Sequence, residues 1–277
     1  MQPLEENKKL LPPYEMIGTI AMLDLPRGFK GEKKAAAQIL KEHSNIKTVS
    51  KKASATGGKY RIRKIKFIAG EKTSKTICKE CGCSFAIDLN KAYYTPRFSH
   101  ERLRICEQVK EGEKILIPFA GIGPYPIVIE KNAKQKPKQI ISIELNPSAF
   151  KLMEENISAN KCKKIIAIKA DAAKILNSKK YKNWANRIIM PHPSASLEFF
   201  PSALKAAKRG ATIHLYAFDE VGKEGETIFS KAKQIAKKQK ISLKKIGWRV
   251  ARPFSAKTEQ VVLDLKVGSC AKTAKRK

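Results

Sequence analysis

The 277 residues are short of acidic groups: 25 Asp and Glu stand against 57 Lys and Arg, a formal charge of +32. That deficit argues against a cationic partner and for an anionic one. Nucleic acid comes first, an anionic membrane surface second, and a merely lysine-biased surface is the bland reading. No apolar run approaches the ~18 residues that a membrane-crossing helix needs. Met1 to Pro13 is polar and charged, without the apolar centre of a signal peptide. Cysteine is scarce. Its six positions are 78, 81, 83, 106, 162 and 270, three crowded and three scattered. That usage suits a reducing, cytoplasmic compartment and not a disulfide framework. The four histidines, at 43, 100, 192 and 214, form no His-Glu-x-x-His pattern. No serine sits in a nucleophile elbow, and no Walker-type Gly-Lys-Ser/Thr occurs. Metalloprotease, serine hydrolase and ATP-hydrolysing chemistry therefore lack their usual residues.

What is present is a foldable chain, 42% hydrophobic and 30% charged, with a core large enough for one large domain or two modest ones. The first 95 residues show no regular strand–helix alternation. Ile17–Leu25 reads as a strand, Lys33–His43 as a helix with Ala35, Ala36, Ile39 and Leu40 on one side, and Ile46–Val49 and Phe85–Leu89 as further strands. Lys51–Lys66 is a basic passage holding the Gly57-Gly58 turn. These elements predict a small α+β domain over 1–95, antiparallel in part.

Beyond residue 112 short apolar runs alternate with helical segments. The predicted strands are Lys114–Phe119, Gln139–Glu144, Lys164–Lys169, Ala185–Met190, Ala211–Phe218, Ser242–Val250 and Glu259–Val267. Helical segments at Pro124–Lys134, Pro147–Asn160, Ala172–Asn177, Ala195–Lys208 and Gly222–Lys240 separate or follow the first five. Pro147 suits a first-turn proline. This spacing predicts an α/β domain over 96–277, Rossmann-like, with a doubly wound, mainly parallel seven-stranded sheet and one antiparallel edge strand. Residues 267–277 read as a frayed basic tail.

Four features fall at the C-terminal ends of these strands, where an open α/β sheet binds ligands. Phe119-Ala-Gly-Ile-Gly-Pro124 follows the first strand and opens a helix; its glycines permit a tight turn and close backbone approach, though the third glycine of the dinucleotide fingerprint is absent. Glu144 ends the second strand, where a carboxylate accepts from both hydroxyls of a ribose or else caps a helix. Asp171 follows the third, beside an adenine or as an N-cap over Ala172. Pro191-His-Pro193 follows the fourth. Together they point to an adenosine-containing cofactor.

Longer stretches carry a resemblance. Ile17-Gly-Thr-Ile-Ala21, Lys47-Thr-Val-Ser-Lys-Lys-Ala-Ser54, Gly58-Lys-Tyr-Arg-Ile-Arg63, Ile68-Ala-Gly-Glu71, Tyr93-Tyr-Thr-Pro-Arg-Phe-Ser-His-Glu-Arg102, the glycine loop, Ile143-Glu-Leu-Asn-Pro147 and Ala170-Asp-Ala172 resemble the archaeal tRNA guanosine-37 N1-methyltransferases. The sister wybutosine-synthesis aminocarboxypropyl transferases resemble the chain more broadly. The match runs from about residue 14 to 266. It implies a class I S-adenosylmethionine-dependent methyltransferase fold and methyl transfer to N1 of guanine 37 in tRNA. It leaves open methylation of a wyosine precursor at that position, aminocarboxypropyl transfer, and a catalytically impaired tRNA-binding relative. It implies that Glu101 takes the guanine N1 proton and that an arginine, Arg61 or Arg63, steadies charge on O6. The cofactor set it implies is Phe119, Ala120, Gly121, Gly123, Glu144, Leu145, Asp171, Ala172 and Pro191, with His192 beside the reacting base. Such chemistry is coherent: N1 is a weak nucleophile until its proton leaves, and a cation favours the enolate-like charge. Anticodon-loop bases leave their stack cheaply. Relatives often carry a further N-terminal domain that reads the outer corner of tRNA. With no room for it, this chain is expected to grip tRNA through its two domains, as a monomer.

Tyr93, interleaved with Lys91 and Arg97, is a candidate to stack on RNA. Arg97, Arg102 and Arg104 are candidate phosphate contacts or plain surface charges. The family usually has an aspartate where this chain has Ile117, followed here by Pro118, and Asn-Leu-Pro where it has Pro191-His-Pro193. Cys78-x-x-Cys81-x-Cys83 invites a zinc reading, but buried small side chains around a turn at Gly82 explain it as well, and no metal is expected. His214, inside an apolar strand, reads as a packed or hydrogen-bonded residue.

Overall fold

The computed structural model describes residues 11–270 except Arg27, Ala55, Thr56, Gly58, Lys59 and Arg61. The chain divides into two units, Met1–Pro96 and Arg97–Lys277.

In the first unit, β1 (Tyr14–Ile17) and β2 (Ile20–Leu23) pair antiparallel. The single strand expected over 17–25 is therefore a tight hairpin, and Gly18 is the reason. Its φ is +57°, and a Cβ there would lie 2.2 Å from Thr76 Oγ1 and 2.4 Å from the Ile77 carbonyl, so only glycine turns the chain this close to a neighbour. A crossover through α1 (Glu32–Glu42) brings β3 (Thr48–Lys52) parallel to β2, and β4 (Ile65–Gly70) closes the sheet antiparallel to β3. Ala36 and Ile39 of α1 pack on Ala21, Leu23 and Val49. A hairpin follows, β5 (Lys75–Glu80) and β6 (Cys83–Asp88), whose alternating burial gives it one buried face, with Cys78, Phe85 and Ile87 beside Thr76 and Glu80. Its two-residue turn, Cys81-Gly82, has positive φ at both positions (+50° and +71°), the twist that suits a tight hairpin.

The second unit opens with α2 (Ser99–Glu107). Strands and helices then alternate: β7 (Lys114–Pro118), α3 (Pro124–Asn132), β8 (Gln139–Glu144), α4 (Pro147–Ala159), β9 (Ile165–Lys169), α5 (Ala172–Leu176), β10 (Ala185–Met190), α6 (Ser196–Ala206), β11 (Ala207–Glu220), α7 (Glu226–Lys238), β12 (Ile241–Pro253) and β13 (Thr258–Cys270). The seven strands lie in the order β12-β13-β11-β10-β7-β8-β9. This is the expected Rossmann-like sheet, and its core joins Leu116, Ile141, Ile188, Ile213 and Leu263 to Phe200 and Leu204 of α6. From β7 the chain first builds outward through β8 and β9, then returns to place β10 on the other side. Ligand crevices form at the C-terminal ends of strands at such a switch point.

The expected antiparallel edge strand is not at the edge. β13 is antiparallel to both β11 and β12 and lies between them. Val261, Val262, Leu263 and Leu265 are fully buried, so β13 takes the inner place, while β12 alternates with exposed Lys244 and Ile246 and forms the edge. Residues 267–270, expected in a frayed tail, belong to β13; residues 271–277 lie outside the described residues. Among the described residues no helix is long and apolar enough to cross a membrane.

Candidate active site

The loop after β7 is built from left-handed backbone: φ is +61° at Phe119, +59° at Gly121 and +89° at Gly123. The Ala120 amide donates to the Ile143 carbonyl (2.9 Å), and Gly123 to Ala120 (3.0 Å). A Cβ on Gly123 would stand 3.0 Å from Met153 Cγ, so glycine lets the start of α3 sit against α4. Pro118, without a donor of its own, is the last residue of β7; pairing with β10 stops at Leu116, while pairing with β8 continues to Pro118 opposite Ile143.

Glu144 holds this loop from the end of β8. Its Oε2 accepts from the Gly121 amide (2.7 Å) and its Oε1 from the Asn146 amide (2.8 Å). Burial raises its carboxyl above the usual value, against the lowering effect of those backbone bonds. Asn146 then caps α4 through the Ser148 amide (3.0 Å), with Pro147 in the first turn and Leu145 half-buried beside it. Asp171 is an N-cap: its Oδ1 accepts from the Ala173 amide (2.7 Å), and Ala172 is buried. That cap uses one oxygen. Glu144, the loop and Asp171 thus lie at the ends of adjacent strands, as a nucleoside would require.

The loop after β10 meets the loop after β7. The Phe119 ring lies 5.0 Å from His192 and 4.9 Å, edge to face, from Phe199. His192 Nδ1 accepts from the Ala195 amide (3.1 Å), which puts the proton of the neutral ring on Nε2. Ser196 Oγ donates to the Met190 and His192 carbonyls, both at 2.8 Å, and so fixes the turn containing Pro191.

Glu101, in the first turn of α2, is 4% exposed and fully engaged. Arg104 grips it with two bonds, Nε to Oε2 (2.9 Å) and Nη2 to Oε1 (2.8 Å), and the Tyr216 hydroxyl donates to Oε1 (2.7 Å). Arg249 Nη1 stands 3.5 Å from Oε2. Tyr216 in turn accepts from the hydroxyl of Tyr125 (2.8 Å), in the first turn of α3. A hydrogen-bonded path therefore joins Glu101 to the helix that the glycine loop opens.

Arg104 also holds Asp264 of β13 through Nη1 and Nη2. Asp264 Oδ1 lies 2.6 Å from His214 Nδ1, His214 Nε2 lies 2.6 Å from Arg187 Nη1, and Arg187 Nε donates to Glu113 (2.8 Å). Burial opposes the charges here, yet the bonds from His214 and Arg104 hold the Asp264 carboxyl well below the usual range. Burial pushes the His214 ring down, and the nearby arginines reinforce it against the pull of Asp264. Arg104 loses to burial but gains more from its two carboxylates and stays charged.

This ladder was not read from the sequence, apart from His214 as a packed polar residue. It also changes the reading of two arginines. Arg104 is committed to Glu101 and Asp264. Arg102 is 3% exposed, its guanidinium 5.5 Å from the Tyr125 ring. Neither is the surface charge expected at a phosphate, whereas Arg97 is exposed. In the first unit Tyr93 is half-buried, and Arg63 Nε is buried with no hydrogen-bond partner among the described residues. Arg61 lies outside the described residues. Cys78 pairs across the hairpin with Phe85, and Cys83 with Glu80; among the described residues no three His, Cys, Asp or Glu side chains converge as metal ligands would.

Comparison with known proteins matches residues 76–244 to the TRM5/TYW2 methyltransferase domain and residues 2–73 to the TYW2 N-terminal domain. The tRNA (guanine(37)-N(1))-methyltransferase Trm5b of Pyrococcus abyssi is 32% identical over 265 residues, 95% of this chain and 77% of its own length. The crystal structure of that organism's Trm5b matches with a TM-score of 0.84, covering 94% of this chain and 76% of the other. The tRNA(Phe) (4-demethylwyosine(37)-C(7)) aminocarboxypropyltransferase of Pyrococcus horikoshii is 30% identical, covering 95% of this chain and 92% of the relative. The structure of P. horikoshii TYW2 in complex with MeSAdo has a TM-score of 0.78 at 28% identity, over 94% and 92% of the two chains. With the methyltransferase-domain match spanning more than half its length and relatives of 30% identity or more aligned over 95% of it, the chain belongs to the TRM5/TYW2 family.

Proposed function

We propose that this protein methylates N1 of guanosine 37 in tRNA, with S-adenosylmethionine as donor. The observation that carries the reading is the likeness to Trm5b over 95% of this chain and 77% of the relative, joined to a strand-end site of the kind an adenosine-bearing donor needs. Glu144, anchored by the Gly121 and Asn146 amides, suits a ribose, and the left-handed glycine loop suits close backbone approach. When bound, S-adenosylmethionine supplies an electrophilic methyl on a cationic sulfur. The chain's own residues supply the rest. Glu101 accepts the guanine N1 proton, which leaves N1 nucleophilic toward that methyl. Arg61 or Arg63 steadies the charge that gathers on O6. Arg97, Tyr93 and the lysine-rich surface hold the anionic tRNA, and a tRNA substrate puts the protein in the cytoplasm.

A second reading, aminocarboxypropyl transfer from the same donor, has support of its own: the match over residues 2–73 is to the TYW2 N-terminal domain, and the P. horikoshii transferase aligns over 92% of its length. The test is mass spectrometry of anticodon-loop fragments after incubation with S-adenosylmethionine and either unmodified G37 tRNA or tRNA carrying 4-demethylwyosine. One added methyl on guanosine 37, lost in Glu101→Gln, supports the main reading. A methyl on 4-demethylwyosine alone moves the substrate to the wyosine precursor. An aminocarboxypropyl gain selects the second reading, and tRNA binding with no mass change in any substrate refutes both.

A further inference from the structure

Glu101 shares its cation. The Arg104 guanidinium makes two bonds to Glu101 and two to Asp264, and both carboxylates are buried, 4% and 7% exposed. Two carboxylates on one guanidinium leave one net negative charge in a region of low dielectric. We propose that Asp264, aligned by His214, is a positioning residue that keeps Glu101 able to accept the substrate proton; this rests on the reading of Glu101 as the base.

Charge balance around Arg104 gives Asp264 this role. A buried Arg104–Glu101 pair standing alone would be neutral. A proton on Glu101 would then strand a buried guanidinium, which is costly. With Asp264 present, Arg104 keeps a counter-charge whether or not Glu101 is protonated. Taking the proton removes an imbalance instead of creating one.

The ladder beyond Asp264 preserves that imbalance. Arginine only donates, so Arg187 obliges His214 Nε2 to accept, and Nδ1–H then donates to Asp264. A cationic His214 would cancel the excess negative charge, but it would also set its Nε2–H against the Arg187 N–H groups. Arg187 is itself neutralised by two bonds to Glu113 (2.8 and 3.1 Å). The groups facing Glu101 are Arg104 on its own helix, Tyr216 from β11 with Tyr125 behind it, Arg102 over the Tyr125 ring, Arg249 from β12 at 3.5 Å and, through Arg104, Asp264 from β13. Arg249 is 45% exposed, so water screens its charge more than that of the buried groups.

The experiment is the pH profile of kcat/KM for G37 methylation by wild type, Asp264→Asn, Asp264→Glu and Arg249→Gln. Affinity for S-adenosylmethionine is measured calorimetrically on the same samples. In Asp264→Asn the acid limb moves down by about one pH unit and the plateau kcat falls several-fold, because a weaker base transfers the proton less readily. The KM for tRNA and the cofactor affinity stay within about twofold. Asp264→Glu keeps the wild-type limb. Arg249→Gln, which removes a cation from the partly exposed side, moves the limb up. A merely structural Asp264 would lower the melting temperature and leave the limb in place, which overturns the proposal. If Asp264→Asn does not fold, Arg249→Gln decides: an unmoved limb overturns the charge argument. Wild type that leaves G37 unmethylated refutes the underlying reading, whereas active wild type with coincident limbs refutes this proposal alone.

Discussion

Replacing Arg187 with methionine tests the stability side of the buried ladder. Arg187 sits in β10, 2% exposed, with Nε and Nη2 on the Glu113 carboxylate, Nη1 on His214 and Nη2 also on the Gln108 carbonyl. Arg187→Met strands the Glu113 carboxylate, a loss of about 3–5 kcal/mol for a buried pair. Glu113 is 11% exposed, so some water reaches it and the lower end applies; the unmet acceptors on His214 and Gln108 add to it, for an expected cost of about 4 kcal/mol. That corresponds to a drop of roughly ten degrees in the melting temperature for a unit of this size. Both tryptophans, Trp184 and Trp248, belong to the Arg97–Lys277 unit, so urea unfolding followed by tryptophan fluorescence reads the affected unit. The double variant Glu113→Met/Arg187→Met removes both charges and should recover half of the loss or more, because a buried pair replaced by apolar groups costs little. A single-variant cost under about 1 kcal/mol, or a double variant no more stable than the single, would refute the picture of a tightly coupled buried pair.

Three further outcomes follow from local geometry. His214 is held neutral in the folded protein because burial lowers its ring below the ordinary value; the unfolded chain therefore binds a proton that the native state does not, and stability contributed at neutral pH is lost as pH falls below about 6.5, at up to about 1.4 kcal/mol per unit. Urea unfolding at pH 7 and pH 5 should show this slope, and His214→Gln should reduce it. Ser142 Oγ is fully buried on β8 without a partner among the described residues, so Ser142→Ala should stabilise by about 1 kcal/mol; a lower midpoint would mean that the hydroxyl is bonded. Gly18→Ala should cost the first unit about 2–5 kcal/mol, since it combines a left-handed φ with a Cβ 2.2 Å from Thr76 Oγ1; calorimetry showing an unchanged transition would refute the hairpin.

The doubly wound sheet is legible because parallel strands covered on both faces appear as short apolar runs. Gln139–Glu144 and Ala185–Met190 begin and end where their patterns do. Glu144 and the glycine loop are legible for the same reason, since each follows a recognisable strand. The first unit is harder to read. β4 offers only the three-residue apolar run Phe67-Ile68-Ala69 after a lysine-rich passage, and β5, Lys-Thr-Ile-Cys-Lys-Glu, mixes charged and polar residues with Ile77 and Cys78, so neither stands out as an apolar strand. The turn at Gly18 is set by contact with Thr76 and Ile77, which no local pattern contains.

The ladder behind Glu101 is illegible because its members are joined by sheet order. Arg104 and Asp264 are 160 residues apart, and His214 and Asp264 are 50 apart. What makes them neighbours is the insertion of β13 between β11 and β12, which sets Asp264 directly opposite His214. Had β13 been the edge strand, as strand succession suggests, β12 would have lain against β11 and His214 would have faced a lysine-rich strand with no carboxylate. A signal for the true order was present in composition: β13 is apolar at Val261–Leu263 and Leu265, whereas β12 alternates with Lys244, Ile246 and Trp248 on an exposed face. Burial demand chose the inner strand. One aspartate within that apolar strand, opposite one histidine in another, then follows from the need to satisfy a buried charge. The same swap of strand order that encloses the apolar residues of β13 therefore brings the counter-charge of Arg104 to the helix bearing Glu101.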